Sequence, residues 1–427
     1  MRKIPLILQI LMGFVLGTLG GLFLSEWGAP QLKENITGIV SPFGNLLVAM
    51  LKMVVFPMIL FSLIHGAASL PLRKSGKVGG WVMVWYFATS LFATLFGVVL
   101  ASFLNPSIDA DATIATGAAD AQAFLDASTA GATSFATFIV DIFQNPFAAL
   151  AQGKFLAIVV FAIAFGLAAR CLIDEASSVS ATVQKLIDAV DAIQRIMFRL
   201  TEWVIRYFPF GVFALCLVNF TQNGVLLFGP YLRIILSVVM GVLLMIFVIY
   251  PLALFCFCRE NPFRILYRIR MAMLTAFVTR SSVATLPLSF KAMDGLRVNK
   301  ALSSFSLPMG ATINMDGVCI HLPVFVILAV NLFGLQLSMV EIATLCLTIL
   351  LASIGAGGIP GGSVFLLFMV LESMGLRADQ VTLIVTLALG INPILDMFET
   401  CCNVTGDNVC TYIVAKNNHL IEEPQCE

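Results

Sequence analysis

From Ile234 to Cys258 the chain runs for 25 residues without a charged side chain. About 20 apolar residues in a helix cover the hydrocarbon core of a bilayer. Comparable stretches recur at Ile4–Phe23, Phe43–Ile64 (Lys52 its sole charge), Trp81–Phe103 and Trp203–Phe220, the last with Arg206 near its start and preceded by an amphipathic, charged lead-in, Asp188–Arg199. Ser134–Leu150 and Phe155–Ala169, broken at Asn145-Pro146 and Gly153-Lys154, read as one bent span. The first stretch lacks the small-x-small cleavage site of a signal peptide and reads as a transmembrane helix. Only 11% of the residues are charged and 59% are hydrophobic, against about 25% charged in a soluble domain. Lys+Arg and Asp+Glu are both 24, which provides no basic field for nucleic acid. The ten cysteines lie largely in apolar runs without a CxxC pair and read as small buried hydrophobes. His65, His321 and His419 have no metal-type spacing and read as structural. An all-α polytopic membrane protein remains.

From Met271 onward the apolar runs are punctured by Ser, Gly, Pro and acids. Irregular backbone at membrane depth is tolerated only where protein or a cavity surrounds it. Met271–Phe290 is two half-length arms around Ser281-Ser282, and Ile342–Leu371 is two arms around Gly355–Gly362. Neither arm alone spans a bilayer, so each pair reads as a re-entrant hairpin. Each is followed by a long helix carrying Asn and Asp, the footprint of inverted repeats around a midplane site. Eight crossings plus two hairpins are expected. Arg2-Lys3, Arg73/Lys74/Lys77, Arg259–Arg270 and Arg297/Lys300 are basic, whereas Asn105–Thr133 carries Asp109, Asp111, Asp120 and Asp126 without Lys or Arg. The positive-inside rule places that loop outside and both termini in the cytoplasm.

In the last apolar run Asp396, Glu399, Thr400, Asn403 and Asp407 form one helical stripe. A carboxylate at the bilayer centre costs about 2.5–3.5 kcal/mol on the insertion scale, so the stripe must face protein, water or a bound cation. Arg280 alone cannot neutralise these three acids and Asp316. Asn314-Met315-Asp316-Gly317 interrupts another run, and Gly317 permits a local unwinding there. Freed carbonyls with Asp and Asn oxygens suit a hard cation, sodium rather than calcium. The glycines of 355–362 lack nucleotide-loop spacing, so no organic cofactor is expected, and they suit a lid instead. The Ser281-Ser282 tip offers hydroxyls and N–H groups to an anion, or small residues for helix packing. No catalytic triad or zinc motif can be assembled, so no enzyme is expected.

TAFVTRSSVATLP (275–287), PMGATINMDG (308–317), ASIGAGGIPGG (352–362) and ILDMFETCCNVTGDNV (394–409) resemble the dicarboxylate/amino acid:cation symporter family, which includes glutamate and archaeal aspartate transporters. The resemblance extends to FGNLLVAMLKMVVFPMI (43–59) and NPFAALAQG (145–153). It implies a homotrimer, in a bacterial inner membrane, whose mobile domain slides like an elevator. Residues 1–78 and 105–226 would form the scaffold, and 79–104 and 227–427 the transport domain. Tyr86, Thr89, Ser90, Asn314 and Asp316 match one sodium site. Gly310, Asn314, Asn403 and Asp407 match a second. Thr312 with the backbone of Ser353, Ile354 and Ala356 matches a third, where Ala356 replaces a common threonine.

For the substrate, the resemblance pairs Asp396 with an α-ammonium and gives the α-carboxylate to Ser282 and Asn403. It places Ser281, Val318, Thr400 and the lid residues Gly358, Ile359, Pro360 and Gly361 around the cargo. Three positions depart from acidic-substrate members. Glu399 stands where they carry an arginine, Val318 replaces the NMDGT threonine, and Val283 replaces the third tip serine. A glutamate would repel a substrate carboxylate. The expectation is therefore sodium symport of a small neutral amino acid, as in the serine/threonine-type branch. A basic amino acid is the alternative, an acidic one is disfavoured, and proton coupling through Glu399 stays open. The non-transporter alternative is an ion channel.

Overall fold

The apolar runs become helices because a backbone surrounded by lipid must satisfy its amides within the segment. The computed structural model describes residues 5–68, 76–104, 143–152, 155–175, 178–335, 337–354 and 361–422. The N-terminal half supplies α1 (Leu6–Trp27), α2 (Pro30–Ala68), α3 (Gly76–Leu104), α4 (Pro146–Gln152), α5 (Phe155–Asp174) and α6 (Ser180–Asn223). Then come α7 (Phe228–Leu244) and α8 (Tyr250–Cys258), joined by a π-helical turn at Met245–Ile249. The rest are α9 (Pro262–Thr279), α10 (Ser282–Gly295), α11 (Lys300–Ile313), α12 (Asp316–Leu332), α13 (Met339–Ile354), α14 (Gly362–Ser373) and α15 (Ala378–Asn417). Among the described residues no strand forms, and the one extended contact is the bridge Val298–Ile421. Among the described residues eight spans are long and apolar enough to cross a membrane, so the chain is an integral membrane protein.

Two spans outrun their apolar cores. The expected span Phe43–Ile64 lies within the 39-residue α2. The charged lead-in Asp188–Arg199 and the expected span Trp203–Phe220 form one 44-residue helix, α6. Side-chain pairs one turn apart sustain the lead-in: Arg195 donates to Asp191 at 2.8 Å as an ion pair, and Gln184 to Asp188 at 2.9 Å as a hydrogen bond. Its apolar side, with Ile187, Val190 and Met197, is buried.

Packing sorts the helices into two groups. α1, α2 and α5 lie against α6. Around α12 and α15 gather α3, α7 and α9, with α10, α11 and α14 closing the group. α12 is buried around almost its whole circumference, as are the first ten residues of α14, the pattern of helices at the centre of a membrane bundle. α9 and α10 meet at Arg280-Ser281 and both pack on α15. α13 touches α14. Between them, Ala356, Gly358, Ile359 and Pro360 lie outside the described residues, as does the acidic loop Asn105–Thr133.

The expected interruption at Asn314–Gly317 is a two-residue break. α11 ends at Ile313, Asn314 (φ −93°, ψ 90°) is extended, Met315 leaves helical geometry, and α12 starts at Asp316. Gly317 itself is helical, which corrects its expected role. A Cβ there would sit 2.5 Å from the Glu399 carbonyl oxygen and 2.6 Å from its Cα, so the missing side chain lets α12 lie directly on α15.

Candidate functional site

Asp316 falls near the middle of the span Lys300–Leu332, and Asp396 near the middle of Ala378–Asn417. The break ahead of Asp316 brings three helices together. Ser90 Oγ of α3 donates to Asp316 Oδ1 at 2.8 Å, and the Tyr250 hydroxyl of α8 donates to Oδ2 at 2.6 Å. Thr89 Oγ1 lies 3.2 Å from Asn314 Oδ1 and 3.2 Å from the Tyr86 carbonyl, its single proton available to either. Thr89, Ser90, Asn314 and Asp316, expected at one sodium site, therefore share a single hydrogen-bonded cluster. Tyr86 joins through its backbone. Its hydroxyl donates to the Ser306 carbonyl at 2.9 Å.

The second expected set is also drawn together. Asn314 Nδ2 donates to Asp407 Oδ1 at 3.0 Å, and a Cβ at Gly310 would lie 2.6 Å from that oxygen. Asn403, one turn before Asp407, accepts the Gly317 N–H at 2.7 Å and donates to Met315 Sδ at 3.3 Å. Asn314 thus bridges the two sets, and Asp316, Asn403 and Asp407 are all buried. Buried carboxylates need a counter-charge or a proton, and among the described residues no Lys or Arg forms an ion pair with Asp316 or Asp407. Oxygen-rich clusters around buried acids provide the ligands a small hard cation takes. The third set is not joined by a described hydrogen bond. Thr312 donates to the Met309 carbonyl and Ser353 to that of Leu350, each within its own helix. Ile354 ends α13.

Asp396 connects the two tips. Gly361, left-handed at φ 79° and capping α14, donates its N–H to Asp396 Oδ2 at 2.9 Å. From the other tip, Arg280 Nη1 lies 3.6 Å from the same oxygen. Arg280 is itself left-handed (φ 55°), an uncommon state for a residue with a Cβ. That turn aims the start of α10 at the site. Ser281 Oγ accepts the Ala284 N–H at 3.2 Å, so this expected substrate hydroxyl caps α10. Ser282, Val318 and Thr400 are buried.

Glu399 lies one turn beyond Asp396 and is 1% exposed. Its Oε1 is hydrogen-bonded to His321 Nδ1 of α12. His321, read from sequence as structural rather than a metal ligand, thus partners an acid of the stripe. Tyr250 was equally invisible in sequence, an uncharged residue within an apolar run. One signal bears on it, the π-helical turn just ahead of it, since such turns recur at functional sites.

A bundle of apolar spans around a broken helix, with buried acids where the spans are deepest, is the construction of a secondary transporter. The chain belongs to the sodium:dicarboxylate symporter family, whose profile matches residues 6–417. It is 33% identical to the serine/threonine transporter SstT of Bifidobacterium adolescentis over 94% of this chain and 87% of that one. It is 32% identical to the human neutral amino acid transporter B(0), over 95% of this chain and 79% of the other. The proton/sodium-glutamate symport protein of Bacillus caldotenax is 28% identical, over 97% and 95%. Family and relatives are transporters rather than enzymes, and the family description carries sodium coupling with it.

Proposed function

We propose that the chain is a secondary active sodium:amino acid symporter for a small neutral substrate of the serine, threonine or alanine kind. The observation that carries this reading is the cluster of Asp316, Asn314 and Asp407 with α3 side chains at a helix break, without a Lys or Arg paired to it among the described residues. Sodium ions, carried as co-substrates, balance the charge of Asp316 and Asp407. The third set, Thr312 with Ser353, Ile354 and Ala356, takes a further ion through carbonyls. Asp396 receives the substrate ammonium in place of its contact with Arg280. Ser282 and Asn403 hold the α-carboxylate, with the α10 N-terminus adding N–H groups. Gly358, Ile359, Pro360 and Gly361 close over the cargo. Val318 and Glu399 meet its side chain, with Ser281 and Thr400 shaping the surround. The names of the serine/threonine and neutral amino acid relatives support the neutral class.

Movement follows from the two packing groups. Residues 1–78 and 105–226 form a scaffold, while 79–104 and 227–427, including the α9–α10 and α13–α14 re-entrant hairpins as inverted repeats, move as an elevator. Three copies assemble in a bacterial inner membrane, surrounded by lipid, with both termini cytoplasmic. A half-loaded site leaves buried acids unpaired, which penalises movement without cargo. The test is uptake into proteoliposomes from a panel of neutral, basic and acidic amino acids, with and without an inward sodium gradient. Saturable, sodium-dependent uptake of serine, threonine or alanine is expected. Ion current with no saturable uptake sinks the reading in favour of a channel.

A further inference from the structure

Glu399 and His321 share one hydrogen bond and are both buried, on facing helices. Phe325, one turn along α12, stacks on the imidazole with centroids 4.7 Å apart and so fixes its plane. Each residue keeps one unspent polar atom. Glu399 Oε2 and His321 Nε2 have no hydrogen-bond partner among the described residues. Buried polar atoms are nearly always paired, so two orphans on one bonded pair call for a partner beyond the described residues. Arg280 is engaged with Asp396, and among the described residues His321 alone lies within ion-pair distance of Glu399.

Building on the symporter reading above, we propose that His321 determines specificity. Together with Glu399 it forms a net-neutral pair that binds a substrate side chain able both to donate and to accept a hydrogen bond, a hydroxyl above all, and excludes a cationic one. Glutamate and imidazolium cancel, as do glutamic acid and imidazole, so the pair is neutral wherever its proton rests. As an ion pair it offers an acceptor at Oε2 and a donor at Nε2. A hydroxyl, one donor with two acceptor lone pairs, suits either atom, donating to Oε2 or accepting from the Nε2–H. A methyl group satisfies neither. An ammonium or guanidinium group has only donors, opposes the Nε2–H and adds a buried charge that nothing balances. The basic-substrate alternative left open by Glu399 in the sequence is thereby disfavoured.

The test is competition by serine, threonine, alanine and lysine against labelled serine on purified protein in saturating sodium. The proteins are the wild type, His321→Gln and His321→Gln/Glu399→Gln. For the wild type, serine and threonine should outcompete alanine by about tenfold or more, with lysine weakest. His321→Gln strands an unbalanced carboxylate, so lysine should gain about tenfold and serine should lose its advantage over alanine. Adding Glu399→Gln restores neutrality and should reject lysine again, a rescue that a purely structural histidine would not give. The sodium-induced thermal shift of each variant reports whether it is folded. Wild-type ranking retained in His321→Gln overturns the inference and leaves the symporter reading standing. So does lysine matching alanine on the wild type, a measurement that needs no variant. A wild type that binds no amino acid in sodium overturns the reading beneath it.

Discussion

Gly317→Ala inserts one methyl group where α12 lies on α15. The new Cβ would stand 2.5 Å from the Glu399 carbonyl oxygen, 2.6 Å from its Cα and 2.8 Å from its carbonyl carbon. All three are backbone atoms, so no side chain can swing aside. Ordinary contact begins at 3.4 Å, and the helices must separate by about 0.9 Å to reach it. The bond from Gly317 N–H to Asn403 Oδ1 is now 2.7 Å. The same displacement stretches it to about 3.6 Å, past the range of an N–H···O bond. Overpacking of this kind costs about 1–3 kcal/mol in stability. The larger effect should be on binding. Asn403 and Glu399 shift relative to Asp316 by nearly 1 Å, a misplacement that costs on the order of 10²-fold where groups must converge on one small ligand. Thermal unfolding and labelled-serine binding in saturating sodium separate the two effects. Gly80→Ala is the control, because nothing lies within 4 Å of its added Cβ, and it should bind serine like the wild type and melt no lower, since a helix favours alanine over glycine. A folded Gly317→Ala protein binding serine within about threefold of the wild type would refute the claim that this contact sets the site's geometry.

Asp396→Ala should abolish amino-acid binding, by about 10²-fold or more, while the sodium-induced thermal shift survives; unchanged affinity removes Asp396 from the ammonium site. Glu399→Arg should admit aspartate or glutamate in the competition assay, and no gain of acidic binding undermines this position as a reader of the side chain. Tyr250→Phe deletes a 2.6 Å bond to a buried carboxylate, worth about 1.5–3 kcal/mol; melting should fall most without sodium, and an unchanged melting temperature counts against the bond. Outside the spans, burial pushes the Glu260 carboxyl up, but hydrogen bonds from Lys416 and Tyr412 outweigh it and hold it below its ordinary value. A depressed carboxylate contributes stability above its unfolded pKa of about 4.3 and loses it as pH falls through the lower folded value. Wild-type melting should therefore drop over that acidic window more than that of Glu260→Gln, and parallel curves would count against the contact.

Different physical rules made different parts of this protein legible. Spans are written in composition, because a bilayer demands length and apolarity from each segment independently of its neighbours. The helix break was equally local, since two polar residues and a glycine interrupt an otherwise apolar run, and the stripe on α15 follows from helical period alone. Where charged flanks pair along their own helix, the apolar run alone understates its length, and α6 includes the amphipathic lead-in ahead of Trp203.

Partners across helices have no such local signature. Ser90, Tyr250 and Asp316 lie 226 and 66 residues apart in sequence yet meet at one carboxylate. His321 carries no sign that it faces an acid rather than a void, because periodicity gives the face of α12 but not what covers it. An isolated acid in an apolar helix is a demand for a partner, and the sequence states the demand without naming the supplier. At Asp316 and Asp407 the protein answers with hydroxyls and amides, which orient a carboxylate without cancelling its charge. At Asp396 it answers with an arginine and a backbone N–H from opposite tips, and at Glu399 with an imidazole. That gradation, from hydroxyl and amide partners at Asp316 and Asp407 to an arginine at Asp396 and an imidazole at Glu399, is the physical basis for the proposal that the first pair takes cations and the second an ammonium and a neutral side chain.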